Sequence, residues 1–104
     1  MIVRGIKMNS ELPPKELLEV RGKIDKIDKD LVELLEERFQ LTYQVGCLKA
    51  NQSLSSLDES REAQKLAEVR LWCADKSLNP DLVVKLFRCI MDEVVKNHEN
   101  LRNQ

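Results

Sequence analysis

The feature that most constrains this chain is a double apolar row between Pro14 and about Asn51. Leu17, Ile24, Leu31, Arg38 and Val45 recur every seven residues, and Val20, Ile27, Leu34, Leu41 and Leu48 form a second row at the same interval. On a helix the two rows merge into one continuous stripe. Good helix formers (Glu, Lys and Leu) fill the outer faces. The spacing predicts a helix ~54 Å long, whereas a compact globule of this chain length has a radius of gyration of only ~13 Å. One chain of 104 residues cannot cover such a stripe alone. Either a second chain packs along it or the helix breaks. The stripe also holds something foreign to a core. Arg38 occupies a seam position, and Arg21 and Lys49 lie on the adjoining row with Asp28, Leu35 and Thr42. Cations beside an apolar seam are costly unless paired, so they require an anion.

Composition narrows the fold class to all-α. Only 3 Gly and 3 Pro, 4% aromatic residues and 34% charged residues suit helices rather than a β sandwich. The length fits one domain, small enough that oligomerisation would enlarge its core. A formal net charge of -1 gives no global field toward nucleic acid or an anionic membrane. Cys47, Cys73 and Cys89 are widely spaced, with no CxxC and no Cys/His ligand pattern. They read as reduced thiols of a cytoplasmic protein, and no metal site is expected. Met1 to Lys7 is too short an apolar run for a signal peptide, and no segment approaches a transmembrane span. Residues 1–13 are expected to be a flexible tail closed by the helix-blocking Pro13-Pro14 pair, leaving 14–104 as the domain.

Local signals divide that domain into three helices. Pro14 suits the first turn of helix 1, and Glu16 and Glu19 suit its positive end. Periodicity is lost at Asn51-Gln52-Ser53, and a short loop is expected from Ser53 to Leu57. Ser56 followed three residues on by Glu59 has the form of a capping box. Helix 2 is expected from about Asp58 to Asp75, with Glu62, Ala63, Leu66, Ala67, Val69, Arg70 and Cys73 inward. Asn79-Pro80 is a cap followed by proline at the first helical position. The helix it opens carries Val83, Leu86, Phe87, Ile90, Met91, Val94, Val95, His98 and Leu101. One long, one short and one medium helix result.

The chemistry-bearing residues are few. There is no Gly-rich phosphate loop and no nucleophile–base pair, and His98 is the single histidine. What remains is a polar set on otherwise apolar faces: Arg21, Arg38, Lys49, Asp58, Arg61, Glu62 and His98. Asp58, Arg61 and Glu62 lie three and four residues apart on one helical face, and Val94 shares a face with His98. Each has an ordinary reading by itself. A lone Arg snorkels to solvent, Asp58-Arg61-Glu62 makes local ion pairs at a helix start, and a histidine near a helix end satisfies the dipole. Trp72 and Phe87 read as packing residues. Joined as one set, with Arg38 in the seam itself, these residues point to a site.

The run from Val20 to Lys49, the segment Asp58 to Ala63 and the run from Leu78 to Leu101 resemble the all-helical (type II) chorismate mutases. The likeness covers roughly residues 17–102, and its specific parts are the Arg–Ile-Asp start, the Glu-Arg turn, Lys49 eleven residues later and the Arg61-Glu62 pair. The resemblance implies an intertwined homodimer whose two sites each draw on both chains. It implies the Claisen rearrangement of chorismate to prephenate in phenylalanine and tyrosine biosynthesis. That reaction is unimolecular and needs no metal or organic cofactor. By position, Arg38 and the partner copy's Arg21 resemble the clamps for the substrate's two carboxylates, a task suited to a bidentate guanidinium fork. Lys49 resembles the cation at the ether oxygen, and Glu62, with Asp58 and Arg61 around it, the group holding the ring hydroxyl.

Two positions depart from the family pattern. Val94 stands where a serine often assists the ring carboxylate, and His98 where a Gln or Glu faces the ether oxygen. His98 is expected to point inward with Phe87, Met91 and Val94, and to donate to the ether oxygen in either protonation state. The cation would be the better donor, so efficiency is expected to decline as pH rises through about 6 to 7. Two other readings stand beside the mutase. An isochorismate-pyruvate lyase uses the same scaffold, although Glu62 occupies a place where the lyases carry an apolar residue. A non-enzymatic helical dimerisation module would use its seam charges only to fix pairing register.

Overall fold

The computed structural model describes residues 14–104, so the expected tail lies outside the described residues. Three helices follow one another: α1 (Lys15–Asn51), α2 (Glu59–Cys73) and α3 (Pro80–Arg102), with no strand among the described residues. The all-α expectation of one long, one short and one medium helix agrees with this order. The chain divides into two units, residues 1–36 and 37–104, and α1 contributes to both.

In the first unit every described residue is exposed. Ile27 is 59% exposed, Leu31 53% and Leu34 61%, although apolar periodicity is what defines this segment. Gly22 lies between the two heptad rows and has nothing within 4 Å of where a Cβ would stand. The side-chain pairing here is Lys26 with Asp30, 3.3 Å apart one helical turn on. An exposed pair of that kind contributes only a few tenths of a kcal/mol, about 0.3–0.5. Among the described residues of this unit, none buries the stripe.

The second unit has a core. α2 and α3 pack against each other, with Val69, Cys73 and Met91 buried. Val69 and Cys73 lie one turn apart and define the inner face of α2. The expected inner face was wider than the observed one. Ala63, Ala67 and Arg70 are exposed, and Arg70 pairs with Asp81 at 3.1 Å on the surface. Leu86 of α3 is likewise exposed, because Met91 and His98, seven residues apart, set the buried line.

Two local devices aim the loop between α1 and α2. At its end α1 reverses through Ser53, whose φ of 57° lies in the left-handed region. The Ser53 N–H donates to Ala50 O at 3.3 Å and the Leu54 N–H to Lys49 O at 2.8 Å. This is a Schellman closure with serine where glycine is the usual occupant. α2 then begins after Asp58, whose side chain accepts from the Arg61 N–H at 3.0 Å. The expected capping residue, Ser56, is therefore not the cap. Asp58 stands at the right offset from Arg61 and its carboxylate makes a charge-assisted bond with the helix end. The start of α3 follows expectation, with Asn79 Oδ1 accepting from the Asp81 N–H at 3.0 Å and Pro80 in the first turn.

Candidate functional site

Within residues 37–104, the C-terminal turns of α1, the start of α2 and the last half of α3 enclose a pocket of about 160 Å³. α1 supplies Arg38, Thr42, Val45 and Lys49 at intervals of three and four, one stripe of a continuous helix. Asp58, Arg61 and Glu62 enter from the first turn of α2, and Val94 and His98 from α3. The structure thus brings together seven of the eight residues singled out in the sequence. Arg21 is the exception: it is exposed in the first unit and does not line this pocket.

Lining the pocket are four cations, Arg38, Lys49, Arg61 and Lys65, against two carboxylates, Asp58 and Glu62. The excess of two positive charges suits a dianion. Arg38 is the most constrained of the cations. It is half-buried, its Cζ stands 5.9 Å from the centroid of the Phe87 ring, and its Nη1 is buried with no hydrogen-bond partner. Burial, and then the nearby charge of Arg61, lower its proton affinity below that of an ordinary guanidinium. Both effects would be relieved by an anion accepting from that fork. Lys49 Nζ makes one long bond, 3.4 Å, to Ser56 O, leaving donor capacity for a ligand. Asp58 spends Oδ1 on capping α2, so its first role is to hold the turn that carries Arg61 and Glu62.

His98 is 97% buried, with 3% of its surface exposed, and its inward orientation agrees with expectation. Its hydrogen bonding does not. Nε2 lies 2.8 Å from Thr42 O, and a carbonyl oxygen only accepts, so Nε2 carries the proton. Nδ1 is buried and unpartnered. In the neutral ring Nδ1 is an acceptor, so donation to a ligand in either protonation state is ruled out. Only the imidazolium could donate from Nδ1. The reason is Gly46: a Cβ there would stand 2.5 Å from His98 Cδ2 and 3.0 Å from its Nε2. The missing side chain lets the ring reach the Thr42 carbonyl.

Sequence reasoning missed three polar lining residues as site members, Thr42, Ser56 and Lys65. Lys65 could have been found, since it lies four residues after Arg61 on the same face. Its Nζ is engaged by Glu68 at 3.3 Å and lies 5.1 Å from the Trp72 ring centroid, which also gives Trp72 more than a packing role. Among the described residues, no group of His, Cys, Asp and Glu has the arrangement of a metal site. No helix among them is long and apolar enough to cross a membrane. Cys47, Cys73 and Cys89 are all free thiols.

Three helices around a cationic pocket that mixes guanidinium, ammonium and carboxylate groups define a helical protein suited to a small polyanion. The chain belongs to the type II chorismate mutase family, whose profile matches residues 20–99. It is similar to the T-protein of Enterobacter agglomerans, 36% identical over 78 residues, covering 75% of this chain and 21% of that protein. It is also similar to the bifunctional chorismate mutase/prephenate dehydratase of Buchnera aphidicola subsp. Schizaphis graminum, 30% identical over 94 residues, covering 89% of this chain and 24% of the other. The chorismate mutase of Methanocaldococcus jannaschii is 27% identical over 78 residues, covering 75% of this chain and 79% of that enzyme. The chain spans between a fifth and a quarter of the T-protein and the bifunctional relative.

Proposed function

We propose that this protein is a chorismate mutase, converting chorismate to prephenate on the route to phenylalanine and tyrosine. The observation that carries the reading is the convergence of Arg38, Lys49, Asp58, Arg61 and Glu62 on one pocket in a member of this family. In the reaction the ether C–O bond breaks while a C–C bond forms between the enolpyruvyl carbon and the ring. Electron density gathers on the ether oxygen, and no atom enters or leaves. Catalysis therefore consists of holding the folded dianion and meeting that charge with fixed donors.

The roles follow from the groups present. The unpartnered Nη1 of Arg38 donates to a substrate carboxylate. Lys49, held to Ser56 O by one of its protons, directs another at the ether oxygen. Glu62 takes the ring hydroxyl, with Asp58 fixing the turn and Arg61 balancing the charge. Val94 supplies an apolar wall in place of a hydroxyl. Arg21, exposed on α1, completes the site of a second copy in an intertwined homodimer. The exposed rows Leu17–Ile24–Leu31 and Val20–Ile27–Leu34 are the surface that such a dimer would bury.

Incubation of the purified protein with chorismate tests this, with prephenate as the expected product. Isochorismate run in parallel, with release of pyruvate as the signal, separates the mutase from the lyase; Glu62 in the pocket favours the mutase. Inertness toward both substrates would leave the dimerisation module.

A further inference from the structure

Among the described residues three buried side-chain polar atoms have no hydrogen-bond partner: Arg38 Nη1, Ser56 Oγ and His98 Nδ1. All three residues line the same pocket. Arg38 and His98 already have places in the reading of the site, but Ser56 has none. It is only 8% exposed and sits on the loop between the Schellman closure of α1 and the cap of α2. The neighbouring Ser55 hydroxyl accepts from the Leu57 N–H at 3.2 Å, and Asp58 caps the helix. The side-chain bond within the loop and the cap of α2 are therefore made by Ser55 and Asp58, not by Ser56. The Ser56 carbonyl holds Lys49 Nζ at 3.4 Å, which puts this residue beside the pocket's ammonium group.

A buried hydroxyl without a partner is a cost to the free protein. Such a cost is offset when a ligand brings an oxygen to it. We propose that Ser56 is a substrate-binding residue whose hydroxyl donates to an oxygen of the bound dianion next to Lys49. This rests on the activity proposed above. It gives the pocket a hydroxyl on the loop before α2, where Val94 leaves α3 without one.

A cost in the free protein and a gain on binding predict effects of opposite sign. Ser56→Ala removes the unpartnered group, so the free protein should melt at the same temperature as wild type or higher. The same variant should lose about tenfold in kcat/KM for chorismate, the scale of one hydrogen bond to a charged group, through a higher KM. Ser56→Thr, which keeps the hydroxyl, should restore most of that loss. Unchanged kcat/KM in Ser56→Ala would overturn the proposal. So would a lower melting temperature, which would mean that the hydroxyl serves the loop or a contact between copies. If wild type converts no chorismate, the activity reading falls. Thermal shift by chorismate and by isochorismate then decides Ser56 separately. Ser56→Ala must weaken the shift produced by whichever dianion stabilises wild type, and the absence of any shift with either rejects the assignment.

Discussion

Gly46 of α1 faces His98 of α3 so closely that a Cβ would stand 2.5 Å from the imidazole Cδ2. The ring is held there by its 2.8 Å bond to Thr42 O, one turn earlier on α1. In a helix interior Gly→Ala ordinarily gains about 1 kcal/mol. Here the clash should win, because both contacts, to His98 and to Leu101 at 2.8 Å, involve packed side chains. Gly46→Ala is expected to destabilise by ~1–3 kcal/mol, the usual scale of overpacking. A chemical denaturation midpoint at or above the wild-type value would show that His98 moves aside without cost.

Ser53 offers the opposite case. Its φ of 57° strains a residue with a Cβ, at about 1–2 kcal/mol. Ser53→Gly should therefore stabilise by roughly 1 kcal/mol and raise the melting temperature by ~4–8 °C. Calorimetry is the check, and a lower melting temperature would mean that glycine's freedom in the unfolded chain outweighs the relief.

Arg38→Lys should fold normally and lose about 10- to 100-fold in kcat/KM, since a point charge replaces the fork and each charged bond contributes ~1.5–3 kcal/mol. Circular dichroism establishes the fold and initial rates with chorismate the loss. Near-normal turnover would remove Arg38 from the site despite its unpartnered Nη1.

Arg21 and Arg38 are expected to serve one site from different copies. Arg21→Ala and Arg38→Ala proteins should each be nearly inactive. Unfolded together and refolded, they should recover about a quarter of wild-type activity, because about half the dimers are mixed and each rebuilds one of two sites. Mixed dimers without recovered activity would place the two arginines on the same copy's site.

For His98 to assist a bound dianion it must donate from Nδ1, since Nε2 is committed to Thr42 O. Nδ1 carries a proton only in the imidazolium. If His98 assists in this way, His98→Leu should lower kcat/KM for chorismate beyond any loss of folded protein. Unchanged kcat/KM in folded His98→Leu would limit His98 to joining α3 to α1. In either case His98→Leu should destabilise by about 1–3 kcal/mol, the cost of unmaking a buried bond.

The three helices were legible because their signals are local and mutually consistent. Heptad rows mark α1, Asn79-Pro80 opens α3, and the expected bounds agree with the observed ones to within a few residues. Arg38 stood out because a guanidinium in an apolar seam contradicts its surroundings. Ser56 did not. A serine three residues before Glu59 reads as a cap, and only the position of Asp58, with its side chain on the Arg61 N–H, shows otherwise. The tautomer of His98 was equally out of reach, because it depends on a carbonyl fifty-six residues away in sequence. The width of α2's inner face failed for a related reason. Alanine fits inside or outside a helix equally well, so Ala63 and Ala67 carry little directional information.

The exposed apolar rows of Lys15 to Glu36 bear on how this protein ages in dilute solution. Most helical stability in proteins comes from packing, so in the homodimer proposed above a copy without its partner would have little to protect its backbone amides there. Those amides should exchange with deuterium fastest in the most dilute samples, while the amides around Val69 and Met91 keep their protection. Dilution would then open the chain from one end long before it unfolds, and a protease would find Leu17 to Leu35 first.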